Sequence, residues 1–254
     1  MKKIFVAIFL IVSFLFGCCA NNNAVRQTQV LEERYRTQQI IRHIEDATIA
    51  FQIIDVFGNP LTYCGGVWIS KHKLITAKHC AQATLSDEIL PDLLIIKSKI
   101  EFRLKSEIDT YNYPFVASSV KAHEAEIIFA DSSSDLAILN VKENIDHTYV
   151  NINKSPLNIG DSVHIMGHTS GLLYSYLPGS ISMFRLFNEA DRNVKIIQIM
   201  SAAWKGNSGG GAFDSSGELI GICSFVRKDT PDMSFFVSYE EINYHITNNK
   251  INLD

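Results

Sequence analysis

Several things are scarce in this sequence, and each scarcity excludes something. Only five of its 254 residues are cysteine. Two of these, Cys18 and Cys19, sit near the start. The other three, Cys64, Cys80 and Cys223, form no Cys-x-x-Cys pair and no Cys/His cluster, so a zinc site is not indicated. Charge of one sign is not in excess. Lys and Arg number 23 against 27 Asp and Glu, which leaves −4 and no basic stripe, so nucleic acid is not an expected partner. There is no repeat, and the only low-complexity stretch is Asn21-Asn22-Asn23. The longest apolar run at the start, Ile4 to Phe16, is too short for an ordinary membrane span. Apolar, aromatic and β-branched residues are plentiful, enough for a sizeable core. The length fits one compact unit or two small halves that share a cleft.

The start reads as a leader. Met1-Lys2-Lys3 is a positive n-region, and the apolar run to Phe16, broken only by Ser13, suits a signal h-region. Its end, Leu15-Phe16-Gly17-Cys18, resembles the lipobox of bacterial lipoproteins, although Phe16 is bulkier than the usual residue there. That resemblance implies a signal peptide over 1–17, lipidation of Cys18, and a bacterial cell-envelope protein anchored by lipid and facing the periplasm. A plain secretory signal would leave Cys18 and Cys19 incidental. Both readings export the chain. An oxidising compartment allows one disulfide and one spare thiol. Cys64 and Cys80 flank an expected hairpin and are the natural pair, while Cys223 lies in an apolar run and reads as a small buried hydrophobe. Residues 18–46 read as a polar tether, helix-forming from Val25 onward, that holds the body away from a membrane surface.

From Ala47 the texture changes to short β-rich runs between Gly, Pro, Asn, Asp and Ser. One series covers Thr48–Val56, Gly66–Ser70, Lys73–Thr76, Leu93–Ile96, Glu126–Phe129 and Leu136–Val141. A second covers Ser162–Met166, Ser180–Phe184, Val194–Met200, Gly211–Phe213, Leu219–Phe225 and Ser234–Val237. This spacing predicts an all-β fold, and the break near Asn151–Leu157 predicts two barrels, over 47–150 and 151–254. Tyr239–Asn248 reads as a closing helix.

The densest chemical signal is Trp204-Lys205-Gly206-Asn207-Ser208-Gly209-Gly210-Gly211. A Gly-rich backbone can adopt positive φ and turn its N–H groups toward one point, as an oxyanion hole requires. Ser208 supplies a hydroxyl, which needs a base and an orienting carboxylate from elsewhere. By itself the run could equally be a flexible turn. His79, in Leu74-Ile75-Thr76-Ala77-Lys78-His79-Cys80, follows an apolar strand and a small-residue turn, which would hold it rigidly. Asp135 ends the polar loop Asp131-Ser132-Ser133-Ser134 and opens the apolar run Leu136-Ala137-Ile138-Leu139, where it can turn inward to an imidazole. Asp131 is its rival, four residues before that run. The other histidines, among them His123, His168 and His245, lack a comparable setting and read as structural or exposed.

These blocks resemble the trypsin-like, chymotrypsin-fold serine peptidases. The family signatures are Thr-Ala-x-His-Cys, Asp-Leu-Ala-hydrophobic-Leu and Gly-Asp/Asn-Ser-Gly-Gly, in that order, and all three are present. The resemblance runs from about Cys64 to the C-terminal helix. It implies two six-stranded antiparallel barrels, with His79 as base, Asp135 as orienting acid and Ser208 as nucleophile. It also implies an oxyanion hole from the N–H groups of Gly206 and Ser208, and a Cys64–Cys80 disulfide beside the base. Protein or peptide would be the substrate, and neither metal nor cofactor is required. Ala202 and Ala203 would lie at the base of the S1 pocket, Ser224, Phe225 and Val226 would pair with the substrate main chain, and Ser224 would hydrogen-bond Asp135.

The departures carry information too. Asn207 replaces the Asp that receives a freed N-terminus in the digestive enzymes, as in the bacterial HtrA-type and glutamyl endopeptidases that fold active, so no such zymogen cleavage is expected. HtrA-type enzymes carry a PDZ domain after the protease, and none is expected in the few residues after the second series. Ala202 supplies no charge for a Lys or Arg side chain. Asp232 could enter the pocket from the following loop, and Val226 stands where open-pocket enzymes have Gly, so a small or medium apolar P1 residue is expected. Two other readings stand beside the peptidase: a catalytically silent binding or scaffold protein, and an esterase-type hydrolase. For the latter, Gly206-Asn207-Ser208-Gly209-Gly210 fits Gly-x-Ser-x-Gly but lacks the following helix and the downstream His.

Overall fold

A computed structural model of the chain describes residues 25–54, 60–81, 99–108, 123–189, 192–203, 205–227 and 229–253. The leader, Cys18 and the strand expected over Leu93–Ile96 fall outside the described residues. The chain divides into two units, Met1–Ile40 and Ile41–Asp254. In the first, the described residues are helical and Val25, Leu31 and Tyr35 are exposed. The second opens with the end of that helix (α1, 25–46), where Ile44 is fully buried. Among the described residues no helix is long and apolar enough to cross a membrane.

The second unit holds two closed antiparallel barrels of six strands each. Around the first barrel run β1 (Thr48–Ile54), β2 (Pro60–Trp68), β3 (Lys73–Ala77), β6 (Leu136–Asn140), β5 (His123–Asp131) and β4 (Lys99–Leu104). Around the second run β10 (Gly211–Phe213), β11 (Leu219–Val226), β12 (Met233–Ser238), β9 (Arg192–Met200), β8 (Ser175–Glu189) and β7 (Ser162–Gly167). Closure leaves neither sheet an open edge.

Each barrel closes on apolar side chains. In the first, Phe51 and Trp68 meet Phe102 edge-on, with ring centroids 6.4 and 5.6 Å away. Such pairs add to the burial of aromatic area. Leu136, Ala137, Ile138 and Leu139 are all fully buried, so β6 is covered on both faces rather than alternating. The second core includes Ile165, Ile197, Ile199, Phe213, Ile222 and Phe236.

Turn chemistry fixes the registers. Between β10 and β11, Asp214 Oδ1 accepts the N–H groups of Ser216 and Glu218 at 2.8 and 3.0 Å, an Asx turn that sets the hairpin. The closing helix α3 (Tyr239–Asn248) starts at Ser238, whose hydroxyl accepts the Glu240 N–H at 3.1 Å.

Several strands differ in extent from expectation: β2 begins at Pro60 rather than Gly66, and β5 spans His123–Asp131 rather than Glu126–Phe129. Strand β8 runs for 15 residues, far beyond the expected Ser180–Phe184, because it stays paired with β9 as far as Glu189↔Arg192. Strand β4, absent from the sequence reading, closes the first barrel between β1 and β5.

Register is what positions the site. Ala77, the last residue of β3, pairs with Leu136, the first of β6. His79 therefore leaves the sheet where Asp135 enters it. In the second barrel Gly211 pairs with Ile222, which sets the loop before β10 beside Ser224.

Candidate active site

His79 lies in the single helical turn α2 (Lys78–Ala81) directly after β3. Two anchors hold that turn. Cys80 is bonded to Cys64 of β2, with Cα atoms 6.0 Å apart, and the Lys78 N–H donates to the Asp135 carbonyl at 2.9 Å. The imidazole between them is about half exposed.

Asp135 sits at φ 53°, a left-handed conformation that Asp tolerates better than most residues. Oδ1 accepts the His79 backbone N–H at 2.9 Å, and Oδ2 lies 2.7 Å from His79 Nδ1. The Ser224 hydroxyl donates to Oδ2 at 2.7 Å. Burial pushes the Asp135 carboxyl up, but the hydrogen bonds from His79 and Ser224 outweigh it and hold the group below the usual carboxylate range. An ionised carboxylate at Nδ1 fixes the proton there and leaves Nε2 as the basic nitrogen of the neutral ring.

Ser208 sits in a loop clamped to both barrels. Its carbonyl accepts the Gly65 N–H of β2 at 2.7 Å, and the next N–H, of Gly209, donates to the Cys223 carbonyl of β11 at 2.8 Å. Gly209 has φ 77°, and a Cβ there would stand 2.2 Å from both Gly65 O and Thr76 Oγ1. Gly206 has φ 100°, and its Cβ would stand 2.1 Å from the His168 carbonyl oxygen. The loop therefore needs glycine at both positions, for conformation and for space. Among the described residues no hydrogen bond of the protein uses the N–H of Gly206 or of Ser208, and none joins the Ser208 hydroxyl to His79.

The residues under the loop gave no signal in the sequence. The fully buried Asn207 donates from Nδ2 to Thr169 Oγ1 at 2.6 Å. The Ser170 N–H donates to the Lys205 carbonyl at 2.6 Å. His168, fully buried, lies 3.0 Å through Nε2 from the Ile49 carbonyl of β1, and its Nδ1 accepts the Tyr174 N–H at 3.1 Å. A ring that accepts at Nδ1 and donates at Nε2 is neutral, and burial pushes its pKa down to about 4. The turn over 168–171 thus carries the Ser208 loop and ties it to the first barrel.

The other expected residues separate. Ala203 is fully buried and Ala202 exposed, while Ser224, Phe225 and Val226 are half-buried. Phe225 stacks on Phe235 at 4.7 Å and meets Phe187 edge-on at 5.3 Å. Asp232 is exposed. A hollow of about 540 Å³ lies beside this stack, bordered by Phe184, Phe187, Arg227, Met233 and Phe235, and it does not include His79 or Ser208. Burial, with the nearby Asp135 charge, pushes the Cys223 thiol up to about 12, so it is no nucleophile near neutral pH. Donor atoms of Cys64, His79 and Cys80 converge within 4.8 Å, but the two sulfurs are bonded to each other and offer no thiolate to a metal.

Comparison with known proteins bears on the fold and the family. The trypsin-like peptidase domain model matches residues 64–222. The chain is 32% identical over 115 residues to a DegP-like periplasmic serine endoprotease of Bartonella henselae, covering 45% of this chain and 23% of that protein. With the Halomonas elongata counterpart the identity is 36% over 101 residues, covering 40% and 21%. The chain thus matches only about a fifth of the length of these curated relatives. Among solved structures, the active form of the Rv3671c protease from M. tuberculosis superposes with a TM-score of 0.63 at 16% identity, covering 82% of each chain. A serine endoprotease from Yersinia pestis superposes at 0.62 and 20% identity, covering 84% of this chain and 65% of that one. Double-barrel architecture and a family match over well over half its length place the chain among the proteins built on a trypsin-like peptidase domain.

Proposed function

We propose that this chain is an exported serine endopeptidase that hydrolyses peptide bonds through His79, Asp135 and Ser208. The observation that carries the reading is the hydrogen-bonded line from Ser224 through Asp135 to His79, together with a Ser208 loop that packs on β2 and on the end of β3 and holds glycines of positive φ at 206 and 209. In the reaction, Ser208 Oγ attacks the scissile carbonyl while His79 Nε2 takes its proton. Asp135 holds the ring and stabilises the imidazolium, and the Gly206 and Ser208 N–H groups receive the oxyanion. His79 then returns the proton to the leaving amine, and an acyl-enzyme remains on Ser208. Water, deprotonated by His79, releases the acyl group as a carboxylic acid.

Ser224, Phe225 and Val226 would pair with the substrate main chain. The buried, uncharged Ala203 and the exposed Asp232 support a small or medium apolar P1 residue. The DegP-like relatives are named as periplasmic, which agrees with export by the leader; a lipid on Cys18 rests on the lipobox resemblance of Leu15-Phe16-Gly17-Cys18 alone. Asn207, neutral and bonded to Thr169, leaves no buried charge for a freed N-terminus to meet, so no activation of that kind is required.

One observation favours a second reading, a silent protease-fold binding protein: the hydrogen bond between Ser208 and His79 is not formed. Catalytic hydrogen bonds often tighten only with substrate bound. The test is an intact mass spectrum after treatment with a fluorophosphonate, in which Ser208 Oγ would displace fluoride from phosphorus. A single adduct on the wild type, absent from Ser208→Ala and strongly reduced in His79→Ala, is expected. No adduct on the folded, disulfide-bonded protein would refute the peptidase reading in favour of the binding protein.

A further inference from the structure

Next to Asp135 in the chain, at Ser134, a cluster of charged groups joins three elements that are distant in sequence. Asp131 ends β5, Arg192 begins β9, and Glu241 and His245 lie one turn apart on α3. Asp131 Oδ2 accepts the Ser134 N–H at 2.8 Å and the Ser134 hydroxyl at 2.6 Å. The same oxygen lies 3.3 Å from an Arg192 nitrogen and 3.6 Å from His245 Nε2. Arg192 reaches Glu241 at 2.5 Å and His245 Nε2 at 2.9 Å, and its guanidinium lies over the Tyr244 ring. The Ser134 oxygen is 3.1 Å from His245 Nε2. Ser134, Glu241 and His245 are all buried. Burial pushes the Asp131 carboxyl up, but the two Ser134 hydrogen bonds, then His245 and Arg192, hold it below the usual range, so it is ionised.

This cluster bears on the site through the turn 132–135. Asp135 is held at φ 53°, which costs free energy and persists only where the surroundings over-determine it. One set of restraints lies at His79, Lys78 and Ser224, as described above, with Lys78 Nζ also donating to the Ser132 hydroxyl at 2.8 Å. The other lies at Ser134, the residue immediately before Asp135, and every hydrogen bond found there runs to Asp131 or His245. We infer that Asp131 is a positioning residue for the orienting carboxylate: through Ser134 it fixes the turn that presents Asp135 to His79, and through Arg192 and His245 it fastens that turn to the second barrel and the closing helix. The inference rests on the reading of His79, Asp135 and Ser208 as a triad. It also gives the second aspartate of the loop a part of its own. Asp131 does not touch the reacting atoms.

The test uses the full chain and needs no peptide substrate. Saturation kinetics of fluorophosphonate labelling separate the half-saturating probe concentration from the maximal labelling rate. The His79 Nδ1 proton, held between two atoms 2.7 Å apart, gives a downfield proton NMR signal that reports its pairing with Asp135 without any turnover. In Asp131→Ala, about a tenfold fall in maximal rate at unchanged half-saturation is expected, with the downfield signal broadened or moved upfield. In Asp131→Asn, whose side-chain oxygen still accepts from Ser134, the rate stays within about twofold of wild type and the signal is kept. Arg192→Met, which leaves the turn's own hydrogen bonds intact, gives a smaller loss in rate. A wild-type rate and an unmoved signal in Asp131→Ala would overturn the inference, as would Asn and Ala variants equally slow with the signal unmoved in both. Should the wild type not label at all, the triad reading fails, while the NMR signal in the three variants still decides the positioning role.

Discussion

His168 makes a strong prediction about acid stability. The ring is fully buried, with Nε2 bonded to the Ile49 carbonyl and Nδ1 occupied by the Tyr174 N–H. Protonation would add a charge in the interior and convert the Nδ1 acceptor into a donor facing another donor. The folded pKa is about 4 against 6.5 for an unburied imidazole. The unfolded chain therefore binds the extra proton first, and stability falls as pH falls from 6.5 toward 4. At 1.36 kcal/mol per pH unit that interval amounts to about 3 kcal/mol. Asp135 acts in a lower window. Its carboxyl is held below 3.8, so its contribution is present above about pH 4 and is lost only as pH falls through the lower folded value. Denaturant unfolding at pH 7, 6, 5 and 4.5, followed by fluorescence of the buried Trp68, measures the slope. His168→Gln should cost about 2 kcal/mol at pH 7 through lost buried hydrogen bonds. Its deficit against the wild type should then shrink as pH falls, reach zero near about pH 5 and reverse by about 1 kcal/mol near pH 4, because it carries no group to titrate. Parallel curves for the two proteins would refute the argument.

Other expectations follow from the site. Gly206→Ala should reduce labelling of Ser208 by at least about a hundredfold, the scale of losing one oxyanion donor, since its Cβ would stand 2.1 Å from the His168 carbonyl oxygen. A rate within tenfold of wild type would contradict the tightness of that contact. Ser224→Ala removes one of three hydrogen bonds to the Asp135 carboxylate and should slow labelling by about tenfold or less, with His79→Ala far more severe. Equal losses in the two would contradict the assigned roles. Replacing both Cys64 and Cys80 by Ala should lower stability by about 3 kcal/mol, the usual scale for a loop of this length, as read from denaturant midpoints.

Sequence legibility followed locality. The series of short β runs, their division into two barrels and the closing helix were readable because each rests on nearby residues: apolar alternation, turn formers, and Ser238 ahead of an acidic first turn. Strand β4 does carry a local signal, the charged–apolar alternation Lys99-Ile100-Glu101-Phe102-Arg103-Leu104, which the sequence reading passes over; the alternation spans only six residues, and pairing with β1 and β5 is what makes it part of the barrel. In the candidate site, His79, Asp135 and Ser208 stood out because each is framed by distinctive neighbours. The groups that carry them did not. Thr169 and His168 are ordinary in sequence, and their importance comes from lying beneath Asn207 and Gly206, 38 residues later. In the sequence Asp131 reads only as a rival to Asp135, four residues before the apolar run. Its partners Arg192, Glu241 and His245 come from the far half of the chain, and no local pattern could have named them.

The most direct test of the central claim is to catch the acyl-enzyme. The protein is mixed with an N-protected alanine p-nitrophenyl ester and quenched in acid within the first turnover, and the adduct is located by tandem mass spectrometry. The account predicts a mass gain equal to the acyl group, carried on Ser208 and absent from Ser208→Ala. An acyl group on any other residue, or ester turnover undiminished in Ser208→Ala, would contradict it.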